Sequence, residues 1–341
     1  MVDNGRKDRA MGAIIGNLVG EALALGCHYY CDLDSFKREC GPWVSDYMDQ
    51  KTERTDTFGD IARLRHEYGL RAGDVSQVGE VFIMLLESVA ECGKYDQEDF
   101  TRRLDELLAT LDGTSMSGRF TNWFLRDVWK QRNEGVPWSE CGGHCDNQEA
   151  ANHGTVLAAW LGGDTTRLLE VANPMTRLTH RDMSVVGQSL AFILTTAAFI
   201  EGVSIDDISG HMIQMAQNPK IRASVPSFDT LTQIRNGVVA NDPEITIEPY
   251  LVCRIAGLPC TMGFLLPAVY FFVHRYPDNF EMAVLSAVNG GCSNMERASL
   301  AGSLSGAMVG LSGIPERYIT GLKDHERLIE LADKVASLEL A

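Results

Sequence analysis

Residues 8–25, DRAMGAIIGNLVGEALAL, decide the fold of this chain. Apolar and small residues recur there at helical spacing, and Gly12, Gly16 and Gly20 stand four positions apart. Glycines at that spacing share one face of an α-helix. Because glycine costs about 1 kcal/mol relative to alanine inside a helix, three of them in register indicate that another backbone approaches this face closely.

A partner with the same spacing stands near the other end of the chain, in residues 298–318, ASLAGSLSGAMVGLSGIPERY. Its small residues are again four apart: Ala298, Gly302, Gly306 and Gly310. We expect the two helices to cross in the core and to join the chain ends in one domain that covers residues 1–341.

The segments between these two helices also have helical patterns. The candidate helices cover residues 78–90, 95–111, 184–201, 265–275 and 279–288. Only residues 244–247 alternate like a strand, and they are too few to found a sheet. The sequence therefore predicts an all-α fold, a compact bundle of many helices. Long loops, which are often functional, are expected at residues 41–73 and 135–154.

The composition is close to the globular average, with 341 residues of which 45% are hydrophobic and 22% charged. Lysine and arginine total 30 against 46 aspartates and glutamates, and the resulting net charge of −16 repels nucleic acid. No stretch approaches about 18 uninterrupted apolar residues, since the longest, at residues 257–273, contains Gly, Pro, Thr and Cys. We therefore expect neither nucleic-acid binding nor a membrane span.

The first residues and the cysteines predict a cytoplasmic protein. Residues 1–12, MVDNGRKDRAMG, are rich in charge and offer no apolar segment with a small-residue cleavage site. Nine cysteines, an odd number scattered through a long chain, indicate reduced thiols rather than a disulfide framework.

Soft metal ligands are present, but their spacing is not that of a known zinc motif. The set comprises Cys27, His28, Cys31, Cys141, His144 and Cys145. Cysteines of this kind more often act as small core hydrophobes, which is the interpretation that we favour.

Two further segments are polar enough to bind a ligand. Residues 139–152 contain the glycines and amides that can surround a phosphate with backbone N–H groups, although they have no Walker pattern. His180 follows a predicted helix end, and Thr179 or Asp182 could cap the next helix. A single histidine is more often structural than catalytic, so spacing alone leaves the function open.

Four segments, in order, resemble the ADP-ribosylglycohydrolase superfamily, and specifically its J-type crystallin-like branch. Residues 10–26 with the following His28-Tyr29-Tyr30 and Asp32 resemble its first helix, and residues 71–86, RAGDVSQVGEVFIMLL, its second-helix motif. Residues 178–182 resemble its Thr-His-x-Asp segment, and residues 289–298 with 314–322, IPERYITGL, its C-terminal signature. The resemblance spans nearly the whole chain and agrees with the predicted all-α domain.

The resemblance implies a cleft for ADP-ribose, or for an ADP-ribosylated small molecule or protein, beside two magnesium ions. Carboxylates and hydroxyls of a Thr-Asp-Asp-Thr motif and a late Asp-x-Asp-Thr motif would hold these ions, which activate a water. This sequence departs from both motifs. Ser76, Gln77 and Val78 stand at the first, and in residues 290–296, GGCSNME, only Glu296 is acidic.

Two functions therefore stay open. In the favoured one, the chain is a weak or inactive hydrolase that needs no cofactor and keeps an ADP-ribose-like cleft or a structural role. In the alternative it is an active hydrolase of an N- or O-glycosidic bond, with magnesium, at a site rebuilt from Asp74, Glu80 and Glu296. Glu80 is the preferred acid, because on a helix it shares the face of Ser76 four residues earlier. The candidate ligand-binding residues are His28, Ser76, Gln77, Asp146, Asn147, His180, Ser293 and Asn294, and no residue is assigned as a metal ligand.

Overall fold

The structure, a computed structural model, describes residues 4–114, 122–225 and 227–339. Within these ranges the chain forms eighteen α-helices, two short 3-10 helices (Pro249–Leu251 and Leu311–Gly313) and no β-strand. The α-helices are α1 (Asn4–Leu25), α2 (Leu33–Cys40), α3 (Gly59–Glu67), α4 (Gln77–Cys92), α5 (Gln97–Leu108), α6 (Trp123–Asn133), α7 (Glu149–Leu161), α8 (Thr165–Arg177), α9 (Met183–Ile200), α10 (Ile208–Met215), α11 (Pro219–Ser224), α12 (Ser227–Asn241), α13 (Val252–Ala256), α14 (Met262–Arg275), α15 (Phe280–Asn289), α16 (Asn294–Val309), α17 (Glu316–Gly321) and α18 (His325–Ala336). The predicted all-α fold is confirmed.

Helices α1 and α16 pack antiparallel with their backbones in direct contact. A Cβ atom added to a glycine of α1 would overlap a carbonyl oxygen of α16 at three places: Gly12 on Gly306, Gly16 on Gly302 and Gly20 on Ala298. The predicted crossing is confirmed, and no side chain other than hydrogen fits on this face of α1. The crossing also brings the loop that follows α1 beside the start of α16.

Helix α9 runs through the core and corrects one expectation. Its 18 residues are uncharged and apolar enough to cross a membrane, but 89% of them are buried inside the protein. Ser, Gln and Thr interrupt its apolar residues, so it does not read as one unbroken apolar run. The hydroxyls of Thr195 and Thr196 donate hydrogen bonds to carbonyls four residues earlier, which satisfies them inside the core. Helix α9 therefore has the length and hydropathy of a membrane span, but it is buried in the protein core.

Both predicted long loops are shorter than expected. Helix α3 interrupts residues 41–73, and α7 begins at Glu149, inside residues 135–154. The charged, glycine-containing segment GDIARLRHE has a weak apolar pattern, and its helix is held by packing of Ile61 and Ala62 against the rest of the protein. Residues 244–247 form no strand and lead into the 3-10 helix at Pro249–Leu251.

Candidate functional site

The candidate site lies where the loop after α1 meets the first residues of α4 and α16. At α4, Ser76 is the N-cap and its hydroxyl accepts a hydrogen bond from the Val78 N–H at 3.0 Å. The same hydroxyl donates to Oε1 of Glu21 at 2.6 Å, and the N–H groups of Ser76 and Gly79 donate to that oxygen at 2.8 and 3.0 Å. Glu21 therefore caps the start of α4 from a different helix.

Glu21 is buried, and sequence reasoning did not single it out. Burial raises its pKa to about 7, although the hydrogen bonds from Ser76 and Gly79 favour the ionised form. The signal that could have found it is the lone acid within the otherwise apolar and small residues 10–25. An acid in the middle of a buried helix needs a polar partner, because burying an unpaired charge is costly.

At α16, Glu296 forms a buried pair with His28. The His28 Nε2 atom lies 3.0 Å from Oε2 of Glu296, and Nη1 of Arg65 lies 2.9 Å from His28 Nδ1. Because a guanidinium can only donate, His28 accepts at Nδ1 and its Nε2–H donates to Glu296. Burial lowers the pKa of His28 to about 4, so the ring is neutral at pH 7. Arg65 supplies the positive charge of this trio.

A cleft of about 700 Å³ opens from the surface onto the same region. Arg65, Ser76 and Gln77 line it, as do Asp74 and Glu80. The Asp74 carboxylate is held by the Lys323 ammonium at 2.8 Å and by the backbone N–H of Arg71 at 2.8 Å. Four of the predicted residues, Asp74, Ser76, Gln77 and Glu80, thus share one cleft, and Arg65 connects it to the buried His28–Glu296 pair.

The amides of Gln77 and Asn294 each bind the protein through one atom, whereas Gln77 Nε2 and Asn294 Oδ1 are buried without a hydrogen-bond partner. Gln77 accepts a hydrogen bond from the backbone N–H of Asn122 at 3.0 Å. The Asn294 amide donates to the carbonyls of Val288 and Cys27 at 3.0 and 3.3 Å. Ser293, buried, directly precedes α16. Each amide therefore forms a hydrogen bond that connects two segments of the chain.

Cys292 is joined to Cys31 by a disulfide, with the Cα atoms 4.1 Å apart although the two residues are 261 positions apart in sequence. The expectation that all nine cysteines are reduced thiols is wrong for this pair. Counting cysteines could not reveal it, because only the α1–α16 crossing brings the two residues together. The other seven cysteines are free, and Cys27, Cys141 and Cys253 are buried.

Asn147 and His180 form a separate buried pair. The His180 Nε2 atom lies 2.6 Å from Asn147 Oδ1, and its Nδ1 lies 2.8 Å from the Thr179 hydroxyl. Burial lowers the pKa of His180 to about 3. Asp146, next to this pair, accepts a hydrogen bond from the Thr261 hydroxyl at 2.9 Å. The predicted residues Asp146, Asn147 and His180 therefore lie close to one another, and none of them lines the cleft beside α4.

Several backbone N–H groups near residues 139–152 and at the start of α9 already have partners within the protein. The Gly143 N–H donates to the Thr179 carbonyl at 2.8 Å, and the Gly142 N–H donates to Gln131 at 3.1 Å. At the start of α9, the Asp182 side chain caps two N–H groups, which confirms it rather than Thr179 as the N-cap. The amides at these positions are thus not open to a phosphate.

Glu149, at the start of α7, is a second buried acid that the sequence did not indicate. Burial raises its pKa well above the ordinary value, and the carboxylates of Glu296 and Glu21 raise it further. Glu149 is the first residue of α7, a position at which acids are common. The sequence pattern therefore did not predict that it is buried.

The sequence profile of the ADP-ribosylglycohydrolase family matches residues 3–340. The chain belongs to the ADP-ribosylglycohydrolase family. An uncharacterized protein of Archaeoglobus fulgidus is similar to it, with 25% identity over 338 residues and 98% of each chain covered. A solved structure described as an ADP-ribosylglycohydrolase-related protein complex has the same fold, with a TM-score of 0.71, 19% identity and coverage of 98% of this chain and 99% of that one. Membership in the J-type crystallin-like branch stays a prediction.

The magnesium pair that membership in the ADP-ribosylglycohydrolase family implies does not fit the residues at the two motifs. The Ser76 hydroxyl is hydrogen-bonded to Glu21, the Glu296 carboxylate is bound to His28, and Cys292 forms a disulfide. Across residues 4–114, 122–225 and 227–339, no three His, Cys, Asp or Glu side chains converge closely enough to hold a metal ion. Magnesium prefers several oxygen ligands, with carboxylates supplying the charge, and residues 76–78 and 292–294 contain no carboxylate.

Proposed function

We propose that this ADP-ribosylglycohydrolase-family chain binds ADP-ribose, or an ADP-ribosylated molecule, without carrying out magnesium-dependent hydrolysis. The observation that carries the proposal is that Ser76, Asn294 and Glu296 each form hydrogen bonds within the protein, while an open cleft lies beside the first motif. A volume of about 700 Å³ lies within the range of small-molecule sites.

The cleft combines the chemistry that such a ligand requires. Arg65 places a cation at the inner end, where a pyrophosphate can accept its hydrogen bonds. Asp74 and Glu80 place carboxylates on the wall, and carboxylates accept hydrogen bonds from ribose hydroxyls. Ile83 and Met84 of α4 add apolar surface for a base. Affinity must come from these local contacts, because the net charge of −16 repels an anionic ligand at long range.

Hydrolysis of an N- or O-glycosidic bond is a second candidate function, favoured by one observation. Asp74 and Glu80 are two carboxylates in one cleft, and glycoside hydrolysis commonly uses a pair of carboxyl groups that flank the scissile bond. Glu296, the third predicted acid, is bound to His28 behind Arg65 and would act on the bond only indirectly. In this alternative Glu80 is the acid that touches substrate.

Calorimetry with ADP-ribose in EDTA, and again with added magnesium, tests the first proposal. We expect the same affinity in both buffers and release of free ADP-ribose from ADP-ribosylated substrates at background rate. Glu80→Gln should weaken binding, whereas Glu98→Gln, an exposed glutamate on α5, should not. Release at an ordinary enzymatic rate that Glu80→Gln abolishes, with folding retained, would replace the first proposal by the second.

A further inference from the structure

The Cys31–Cys292 disulfide joins the two segments that hold the buried pair of the candidate site. Cys31 follows His28 by three residues, and Cys292 precedes Glu296 by four. Two backbone hydrogen bonds link the same segments: the Tyr29 N–H donates to the Cys292 carbonyl at 2.9 Å, and the Cys292 N–H donates to the Tyr30 carbonyl at 2.8 Å. The disulfide therefore closes a local clamp, which we define as residues 28–31 and 291–296.

The backbone within this clamp is strained on both sides. Tyr29 and Cys292 have φ values of 66° and 55°, in the left-handed region that non-glycine residues rarely adopt. Among the described residues, Asp324 is the one other non-glycine residue with positive φ. Such conformations persist only where the surrounding structure enforces them. Here each strained residue is hydrogen-bonded to the opposite segment, and the cross-link reinforces that contact.

The crossing of α1 and α16 does not depend on the disulfide. Helices α1 and α16, which carry the two segments, are already packed backbone to backbone through Gly12, Gly16 and Gly20. Cys31 is partly exposed, so a small reductant reaches it, whereas Cys292 is 9% exposed. Breaking the bond should therefore change the clamp locally and leave the helix crossing in place.

We propose that the Cys31–Cys292 disulfide is a reversible redox clamp on the ligand site. Oxidised, it fixes the His28–Glu296 pair and, through His28, the position of Arg65 at the inner end of the cleft. Reduced, it lets Tyr29 and Cys292 relax to ordinary backbone conformations, which displaces Arg65 and weakens ligand binding. The effect on binding rests on the proposed function, whereas the conformational effect does not.

The reductant is a dithiol. One of its thiolates attacks the sulfur of the partly exposed Cys31, which breaks the disulfide and forms a mixed disulfide, and Cys292 leaves as a thiolate that takes a proton. The second thiol of the reductant then displaces Cys31. The products are two cysteine thiols and the cyclic disulfide of the reductant, so two electrons and two protons pass to the protein.

The test uses the unmodified chain with and without millimolar dithiothreitol. Alkylation of the native protein followed by peptide mass spectrometry should show Cys31 and Cys292 modified only after reduction. Amide hydrogen exchange should then quicken at residues 28–31 and 291–296 but stay slow at residues 12–16 and 302–306 of the helix crossing. ADP-ribose affinity should fall by about tenfold or more and recover after reoxidation with oxidised glutathione.

Variants separate the possible outcomes. Cys31→Ser with Cys292→Ser should behave as permanently reduced, and Cys92→Ser, which removes an exposed free cysteine, should keep the full response. A disulfide that withstands dithiothreitol in the folded protein, or unchanged exchange at both clamp segments after reduction, overturns the redox clamp. If ADP-ribose binds neither form, the proposed function fails, and alkylation with hydrogen exchange still decides the clamp.

Discussion

The Glu21 carboxylate on α1 accepts two hydrogen bonds from Ser76, one from its hydroxyl at 2.6 Å and one from its backbone N–H at 2.8 Å. Ser76 stands where the family resemblance places a metal-binding threonine, yet its hydroxyl points at an acid of the protein itself. At this motif the hydroxyl thus takes part in capping α4. At α16, Glu296 likewise binds a group of the protein itself, His28.

The helix crossing predicts a sharp difference between two glycine substitutions. Gly16→Ala should destabilise the protein by about 1 to 3 kcal/mol or more, because its Cβ overlaps the Gly302 carbonyl and the helices must separate. Gly210→Ala in α10 is the matched control, since nothing lies within 4 Å of the added Cβ, and it should stabilise by up to about 1 kcal/mol. Urea unfolding measures both, and equal stability of the two variants would contradict the close crossing.

Glu21 predicts a pH dependence of stability. The folded chain keeps a proton on Glu21 up to about pH 7, whereas a free glutamate releases it near 4.5. The folded state thus binds more protons between these values, so this group lowers stability as pH rises through that window. Relative to wild type, Glu21→Gln should gain on the order of 3 kcal/mol between pH 4.5 and 7.

The control for this experiment is Glu98→Gln, an exposed glutamate that should keep the wild-type profile. Buried histidines act with the opposite sign at lower pH, which is why the difference between variant and wild type is measured: His28, His153 and His180 have lowered pKa values. Parallel profiles of Glu21→Gln and wild type in chemical denaturation from pH 4.5 to 8 would show that Glu21 titrates normally.

Arg65 predicts a change that spectroscopy can detect at His28. Burial is the largest cause of the lowered pKa of His28, which is about 4, and Glu296 acts against it by raising that pKa. The positive charge of Arg65 is a further cause that lowers it. Arg65→Gln should therefore raise that pKa, and it should also weaken ADP-ribose binding. Proton NMR of the His28 ring measures the titration. Arg63→Gln, on the same helix but outside the cleft, should leave both properties unchanged, and a similar response of the two variants would remove Arg65 from the site.

Magnesium should bind this chain more weakly than millimolar. The reason is that the carboxylates near the two motifs are engaged with Ser76, His28 and Lys323 and do not converge. Titration calorimetry on EDTA-treated protein measures the affinity, with injection of magnesium into buffer as the control. A clear micromolar isotherm would mean that these contacts rearrange to admit the ion.

Local sequence determined the fold class, the helix crossing and the family. The four-residue spacing of small residues in α1 and α16 is sufficient for the first two, because helical periodicity is a short-range property and two such faces fit against each other. The family followed instead from the resemblance of four segments of the chain to it. Ser76 and Glu80 could also be placed on one face, since they lie four residues apart at the start of a predicted helix.

Tertiary structure alone decided which polar groups meet. The contact between Glu21 and Ser76, the pair of His28 and Glu296 and the disulfide of Cys31 with Cys292 join positions 55, 268 and 261 residues apart. No local pattern encodes such distances, and hydrogen bonding and burial depend on what the packed helices bring to each point. The sequence therefore identified where residues 76–78 and 290–296 depart from the family motifs, but only the packing of α1, α4 and α16 decided which groups these residues contact.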